Sequence, residues 1–185
     1  MAALTASDCV YCIVDVETTG GVKGPARLTE IALIRHDGHK IVDEFQTLLN
    51  PGHPIPPFIS QLTRITDAMV VGAPTFDQVA DRVQEITEGA IFVAHNVMFD
   101  FGFLQKEMKW LDRDFHRRTL CTVRSSRKII PGLPSYSLGK LCRSLDIMVS
   151  ARHRAYGDAA ATVKLFELLL QQDRCGHIPR PKAVA

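Results

Sequence analysis

The first residues to account for are Asp15 and Glu17, in "IVDVETTG". The run around them reads as sheet interior, and in a strand side chains two apart share a face, roughly 6 to 7 Å from each other. Both carboxylates therefore project together, and two like charges on one face need a positive partner. Asp100, in "AHNVMFDFGFL", falls in the first turn of a helix after a strand ending at His95 and Asn96. Taken alone it is an ordinary helix-start acid, favoured by the positive end of the helix. Asp158, in "HRAYGDAAATVKLFELLL", lies among Ala155, Ala159 and Ala160, small residues that let a helix approach a sheet closely. An acid on such a face is costly to bury without a cation or donors. His153, just ahead of that helix, reads on its own as a surface or capping residue, although its type suits proton exchange near neutrality.

The elements that must position these groups follow from periodicity and turn residues. "DCVYCIVDVET" reads as a buried strand, and "RLTEIALIRHDGHKIVDEFQTLLN" as two more joined through Asp37-Gly38, a dipeptide suited to a hairpin. Three antiparallel strands open the domain. "PGHPIPPF" interrupts regular structure, and "FISQLTRITDAMV" holds a short helix and a loop. Thr75 caps an amphipathic helix with Phe76, Val79, Val83 and Ile86 on its apolar face and Gly89 at its close. "AIFVAHN" is a fourth strand. Helices are expected over 98–110, around 121–128 and 137–145, and over 154–172, the last with a stripe of Ala155, Ala159, Val163, Phe166 and Leu170. An α/β fold follows, a mixed sheet with helices on its faces.

At 185 residues, 46% hydrophobic and 23% charged, the chain fits one compact domain, expected over 7–173 with 174–185 as a tail or linker. The N-terminus shows no basic-then-apolar leader, and no apolar run approaches a membrane span, so the expectation is a soluble cytoplasmic protein with no membrane partner. Five irregularly spaced cysteines argue for reduced thiols rather than a disulfide framework. Cys9 and Cys12 form a C-x-x-C, but a zinc site wants a second pair, and on a strand these two face opposite sides. Residues 1–92 carry 6 Lys and Arg against 12 Asp and Glu, and residues 93–185 carry 16 against 8. Charge alone leaves two readings even: solvated helix faces, or a phosphate-binding flank of Arg117, Arg118, Arg124, Arg127, Lys128, Arg152 and Arg154.

"DVETTG", "HN" with "FD", and a His separated by four residues from the Asp of "HRAYGD" occur in this order. The combination resembles the DEDDh (DnaQ-like) 3′-5′ exonucleases, the group that includes the proofreading epsilon subunit of bacterial DNA polymerase III. The resemblance runs from Cys9 to Leu170, with further matches in "RLTEIALI", "LTRITDAMV", "LPSYSLGKLC" and "HRAYGDAAAT". It implies a ribonuclease H-like mixed five-stranded sheet with helices on both faces and the first strand central. It also implies that Asp15, Glu17, Asp100 and Asp158 hold two divalent cations and that His153 is the general base. An all-oxygen donor set suits Mg²⁺ or Mn²⁺ rather than zinc. The implied products are a nucleoside 5′-monophosphate and a chain one unit shorter.

By the same resemblance Thr18, Thr19 and Ile65 receive the terminal nucleotide, with Asn96 and Phe99 lining the pocket. Arg64 stands where relatives often have Gly in "LTGIT", and Arg118 where an acid is common. The expected partner is a nucleic-acid 3′ end, DNA favoured over RNA, together with a polymerase, another repair protein or further domains of a longer chain. The alternatives are an RNA-trimming exoribonuclease of the same family and a non-catalytic nucleic-acid-binding or assembly module. The full set of Asp15, Glu17, Asp100, His153 and Asp158 argues against the last.

Overall fold

The computed structural model describes residues 10–149 and 152–180. β1 (Val10–Thr18), β2 (Leu28–His36) and β3 (Ile41–Leu48) form the antiparallel opening expected from the hairpin signals. The turn between β2 and β3 is fixed by Asp37, whose Oδ1 accepts the N–H groups of His39 and Lys40, each at 2.8 Å, and Gly38 supplies a φ of 93°. α1 (Pro57–Thr63) and the one-turn α2 (Asp67–Val70) follow the proline-rich stretch. α3 (Phe76–Thr87) begins where Thr75 donates its N–H to Gln78 Oε1 at 3.0 Å.

β4 (Ala90–Ala94) returns parallel to β1 and leads into α4 (Met98–Trp110), the span its sequence predicts. A short fifth strand, β5 (Thr119–Cys121), pairs parallel with β4 and passes directly into α5 (Thr122–Ile129). α6 (Leu138–Ser144) and the long α7 (Ala155–Gln172) complete the fold. The sheet order is β3-β2-β1-β4-β5, so β1 is central and the mixed five-stranded sheet is as expected.

Alternation along β1 divides the core between the two faces. Cys12, Val14 and Val16 join the cluster under α3 and α4, while Tyr11 and Ile13 join Phe166 and Leu169 of α7. The same parity puts Asp15 and Glu17 on the α7 side, at the strand's C-terminal end. The Tyr11 and Phe166 rings lie 4.6 Å apart and hold α7 to the sheet. Leu169 is wholly buried and Leu170 only partly, a small rotation of the expected stripe. Ile178, beyond α7, is also buried in this cluster, and Asp173 accepts its N–H at 2.7 Å. Cys12 is a buried free thiol, and Cys9 of the C-x-x-C lies outside the described residues.

Candidate active site

Three segments meet at the C-terminal end of β1. Asp15 and Glu17 come from β1 itself, Asp100 from the first turn of α4 and Asp158 from the first turn of α7. Among the described residues, Asp15, Glu17 and Asp158 each bring a carboxylate oxygen within 4.8 Å of the others. Asp100 is buried at 4% exposure, and its Oδ1 accepts the N–H of Val16, the residue between the two β1 acids, at 3.2 Å. The ladder between β1 and β2 slips at Glu17/Thr18, a break in regular pairing of the kind that re-aims side chains beside a site.

The charges resist one another. Burial, and then the carboxylates of Asp100, Asp158, Glu17 and Glu30, push Asp15 well above the ordinary carboxylate range. Burial raises Glu17 to about 7, helped by Asp158 and Glu30 and opposed by the Arg154 guanidinium. Asp100 rises to about 8 through burial despite two backbone N–H groups that favour its charged form. Asp158 is also raised by burial, against the opposing pull of the His153 N–H and the positive charge of Arg152 and His153. Asp15, Glu17 and Asp158, gathered at partly buried positions with Asp100 buried beside them and each disfavouring its own ionisation, fit a divalent cation far better than they fit an ion-free core.

His153 is half-buried in a left-handed turn, φ 59°, and its backbone N–H donates to Asp158 Oδ2 at 3.0 Å. Asp158 and His153 are thus tied through the turn that starts α7. Of the pocket residues, Thr18 and Thr19 are buried. The Thr18 hydroxyl donates to the Gly20 carbonyl at 2.7 Å, and that of Thr19 accepts the Arg27 N–H at 3.0 Å. Asn96 is exposed with φ 73°. Phe99 is partly buried, its ring 5.1 Å from that of Phe103. Ile65 is fully buried with Ile55, Ile59 and Val70, next to Arg64 in a left-handed helix cap.

Two residues that sequence reasoning left without a role hold this end of the fold. Glu30 of β2 stands directly opposite Glu17 and is 6% exposed. It accepts from Arg154 Nη2 at 2.6 Å and from the Ala155 N–H at 2.8 Å, which locks the start of α7 to the sheet. The available signal was a lone acid inside the otherwise apolar "EIALI". His95 closes the other side. The carbonyl of Tyr136 can only accept, so Nε2 donates to it at 2.9 Å, and Nδ1 accepts the Thr122 hydroxyl at 2.9 Å. Burial lowers the His95 pKa, consistent with a neutral ring that pins the end of β4 to α5 and to the loop before α6.

The exonuclease family, RNase T type, matches residues 12–166. The chain belongs to it, as a DEDDh (DnaQ-like) member. The DNA polymerase III subunit epsilon of Aquifex aeolicus is 34% identical over 166 residues, covering 89% of this chain and 82% of that one. Exonuclease X, solved in complex with 5′ overhanging duplex DNA, superposes with a TM-score of 0.72 at 29% identity, over 88% of this chain and 92% of that one. The nuclease domain of 3′hExo, a DEDDh family member bound to rAMP, shares the fold at a TM-score of 0.78 and 19% identity, over 90% and 94%. Several other curated relatives are far longer, and the chain spans only 11% to 27% of their length. Exonucleases of this fold use divalent metal ions. Among the described residues, no helix is long and apolar enough to cross a membrane.

Proposed function

We propose that this chain is a 3′-5′ exonuclease that removes nucleoside 5′-monophosphates one at a time from the 3′ end of DNA, at single-stranded or frayed ends, in proofreading or repair. The observation that carries the reading is the convergence of Asp15, Glu17 and Asp158 within 4.8 Å, with Asp100 against the backbone between the first two. These four acids would hold two Mg²⁺ or Mn²⁺ ions, a choice supported by an all-carboxylate donor set with no thiolate or imidazole. When bound, such cations supply a nucleophile from water at neutral pH and neutralise charge on the leaving oxygen.

The protein's own residues divide the remaining work. His153 accepts a proton from the attacking water, and its contact with Asp158 fixes its turn beside the acids. Asn96 offers an exposed amide, and Phe99 a partly buried ring, to the terminal nucleotide. Thr18, Thr19 and Ile65, all buried, are assigned to the seat of the same nucleotide. Similarity to a polymerase subunit and to an exonuclease solved with DNA supports DNA over RNA. It also supports a polymerase, another repair protein or further domains of a longer chain as partners, in the cytoplasm.

The test is a 5′-labelled single strand incubated with Mg²⁺ or Mn²⁺ and, in parallel, with EDTA, using matched deoxy and ribo oligomers. Stepwise shortening that needs the cation and is faster on the deoxy strand is expected. A full-length strand under both cations overturns the enzyme, and a faster ribo strand overturns the DNA preference.

A further inference from the structure

The seven basic residues that composition offered as a phosphate-binding flank do not form one surface. Arg154 is committed to Glu30. Arg117 donates to the Thr87 carbonyl at 2.9 Å and stacks on Phe115. Arg152 lies over Gly139, and Arg127 over the Tyr136 ring. Arg118, Arg124 and Lys128 are exposed and make no ion pair among the described residues, and of these Arg124 and Lys128 line one groove. Four apart on α5, they share one face, about 5 to 6 Å from each other at Cβ.

That face borders a groove of about 280 Å³ along the open edge of β5. Met98 at the start of α4, Leu120 and Cys121 of β5, and His177 beyond α7 line it with Arg124 and Lys128, and no carboxylate does. The strand registers Ile13↔Val93 and Val93↔Leu120 place Cys121 level with Val14, one residue short of Asp15. Two strand spacings, about 10 Å, separate the groove's β5 wall from β1. Met98, 61% exposed, lies in the same first turn of α4 as Asp100. A polyanion approaching four carboxylates is repelled unless cationic surface beside them holds it. The groove supplies that surface within one or two nucleotides of the acids, and an exposed thioether against which a base can pack.

We propose that this groove carries the backbone of the strand whose 3′ end lies in the acidic site, Arg124 and Lys128 each contacting a phosphate on its 5′ side. The proposal rests on the exonuclease reading for the identity of the strand, but its test does not need catalysis. Binding of 5′-labelled oligo-dT of 2, 4, 8 and 12 nucleotides is measured by fluorescence anisotropy in Ca²⁺ buffer across a salt series. The proteins compared are the wild type, Arg124→Ala/Lys128→Ala, and Lys40→Ala/Lys164→Ala as an equal charge loss elsewhere.

For the 8- and 12-mers the groove variant should bind roughly tenfold more weakly, with a salt slope smaller by about 1.4, two single-strand phosphate contacts. The control pair should match the wild type. Alkylation of Cys121, read by peptide mass, should be slowed by the 12-mer and not by thymidine 5′-monophosphate. Unchanged salt slope and affinity, or Cys121 equally reactive under both ligands, overturns the proposal. Were hydrolysis absent under Mg²⁺ and Mn²⁺ while the length-dependent slope held, the enzyme reading alone would fail.

Discussion

Glu17→Gln tests the claim that the acidic cluster stores unfavourable charge which only a cation relieves. Glu17 titrates at about 7 in the fold against 4.5 as an ordinary glutamate, raised chiefly by burial and then by Asp158 and Glu30. Such a group binds its proton more tightly folded than unfolded. Its contribution to stability is intact below pH 4.5 and is lost as the pH rises through 7. Each pKa unit is about 1.4 kcal/mol, so at pH 8 the ion-free fold forfeits at most about 3 kcal/mol at this position. Glutamine keeps the shape and cannot ionise. In EDTA the variant should therefore melt with the wild type at pH 4 and above it at pH 8, by up to about 6 to 12 °C for a chain of this length. Saturating Mg²⁺ or Mn²⁺ should close most of that gap. The wild type gains about 2.7 kcal/mol at a hundredfold excess over Kd, and the variant, short of one donor, gains less. Melting points that run parallel from pH 4 to pH 8 in EDTA, or equal gains from the cations, would refute the reasoning.

His153→Ala should slow cleavage by roughly 10²- to 10⁴-fold while Mg²⁺-dependent thermal stabilisation persists, since only the backbone N–H of His153 reaches Asp158. A matching loss of metal affinity in calorimetric titration would remove its role as base. Arg64→Gly should stabilise the fold by about 1 kcal/mol, because Arg64 holds φ 62° at the end of α1, where glycine carries no Cβ penalty. Urea denaturation reads this, and a loss of stability would contradict it. Glu30→Gln should cost roughly 1 to 3 kcal/mol through weakened bonds to Arg154 and Ala155, outweighing the relief of its repulsion on Glu17. It should also lower cleavage; unchanged urea midpoint and rate would deny Glu30 its hold on α7.

The architecture was legible where one signal dominated. Thr75, the apolar spacing of α3 and Gly89 gave that helix both ends, and Asp37-Gly38 gave the β2-β3 hairpin. β5 was not legible locally. Three residues are too few for a period to register, and Cys121 stands at the junction of strand and helix. The site was legible as a set of types and an order, but its support was not. Glu30 and His95 act through partners 124 and 27 to 41 residues away, and no local pattern reports such pairings.

The same geometry explains why these acids ended up together instead of being replaced by apolar residues. Each is placed where the backbone offers some compensation. Asp100 and Asp158 occupy the first turns of α4 and α7, the positive ends of those helices, and accept N–H groups from Val16 and His153. Yet Asp100 still sits at about 8 and Glu17 at about 7. The guanidinium that acts on Glu17, Arg154, is held by Glu30, so its pull is already spent in part on another anion. Backbone dipoles therefore make the cluster tolerable without making it neutral. The deficit that remains is positive charge at the end of β1, and a divalent cation bound there would relieve it with the fold's own stability as part of the driving force.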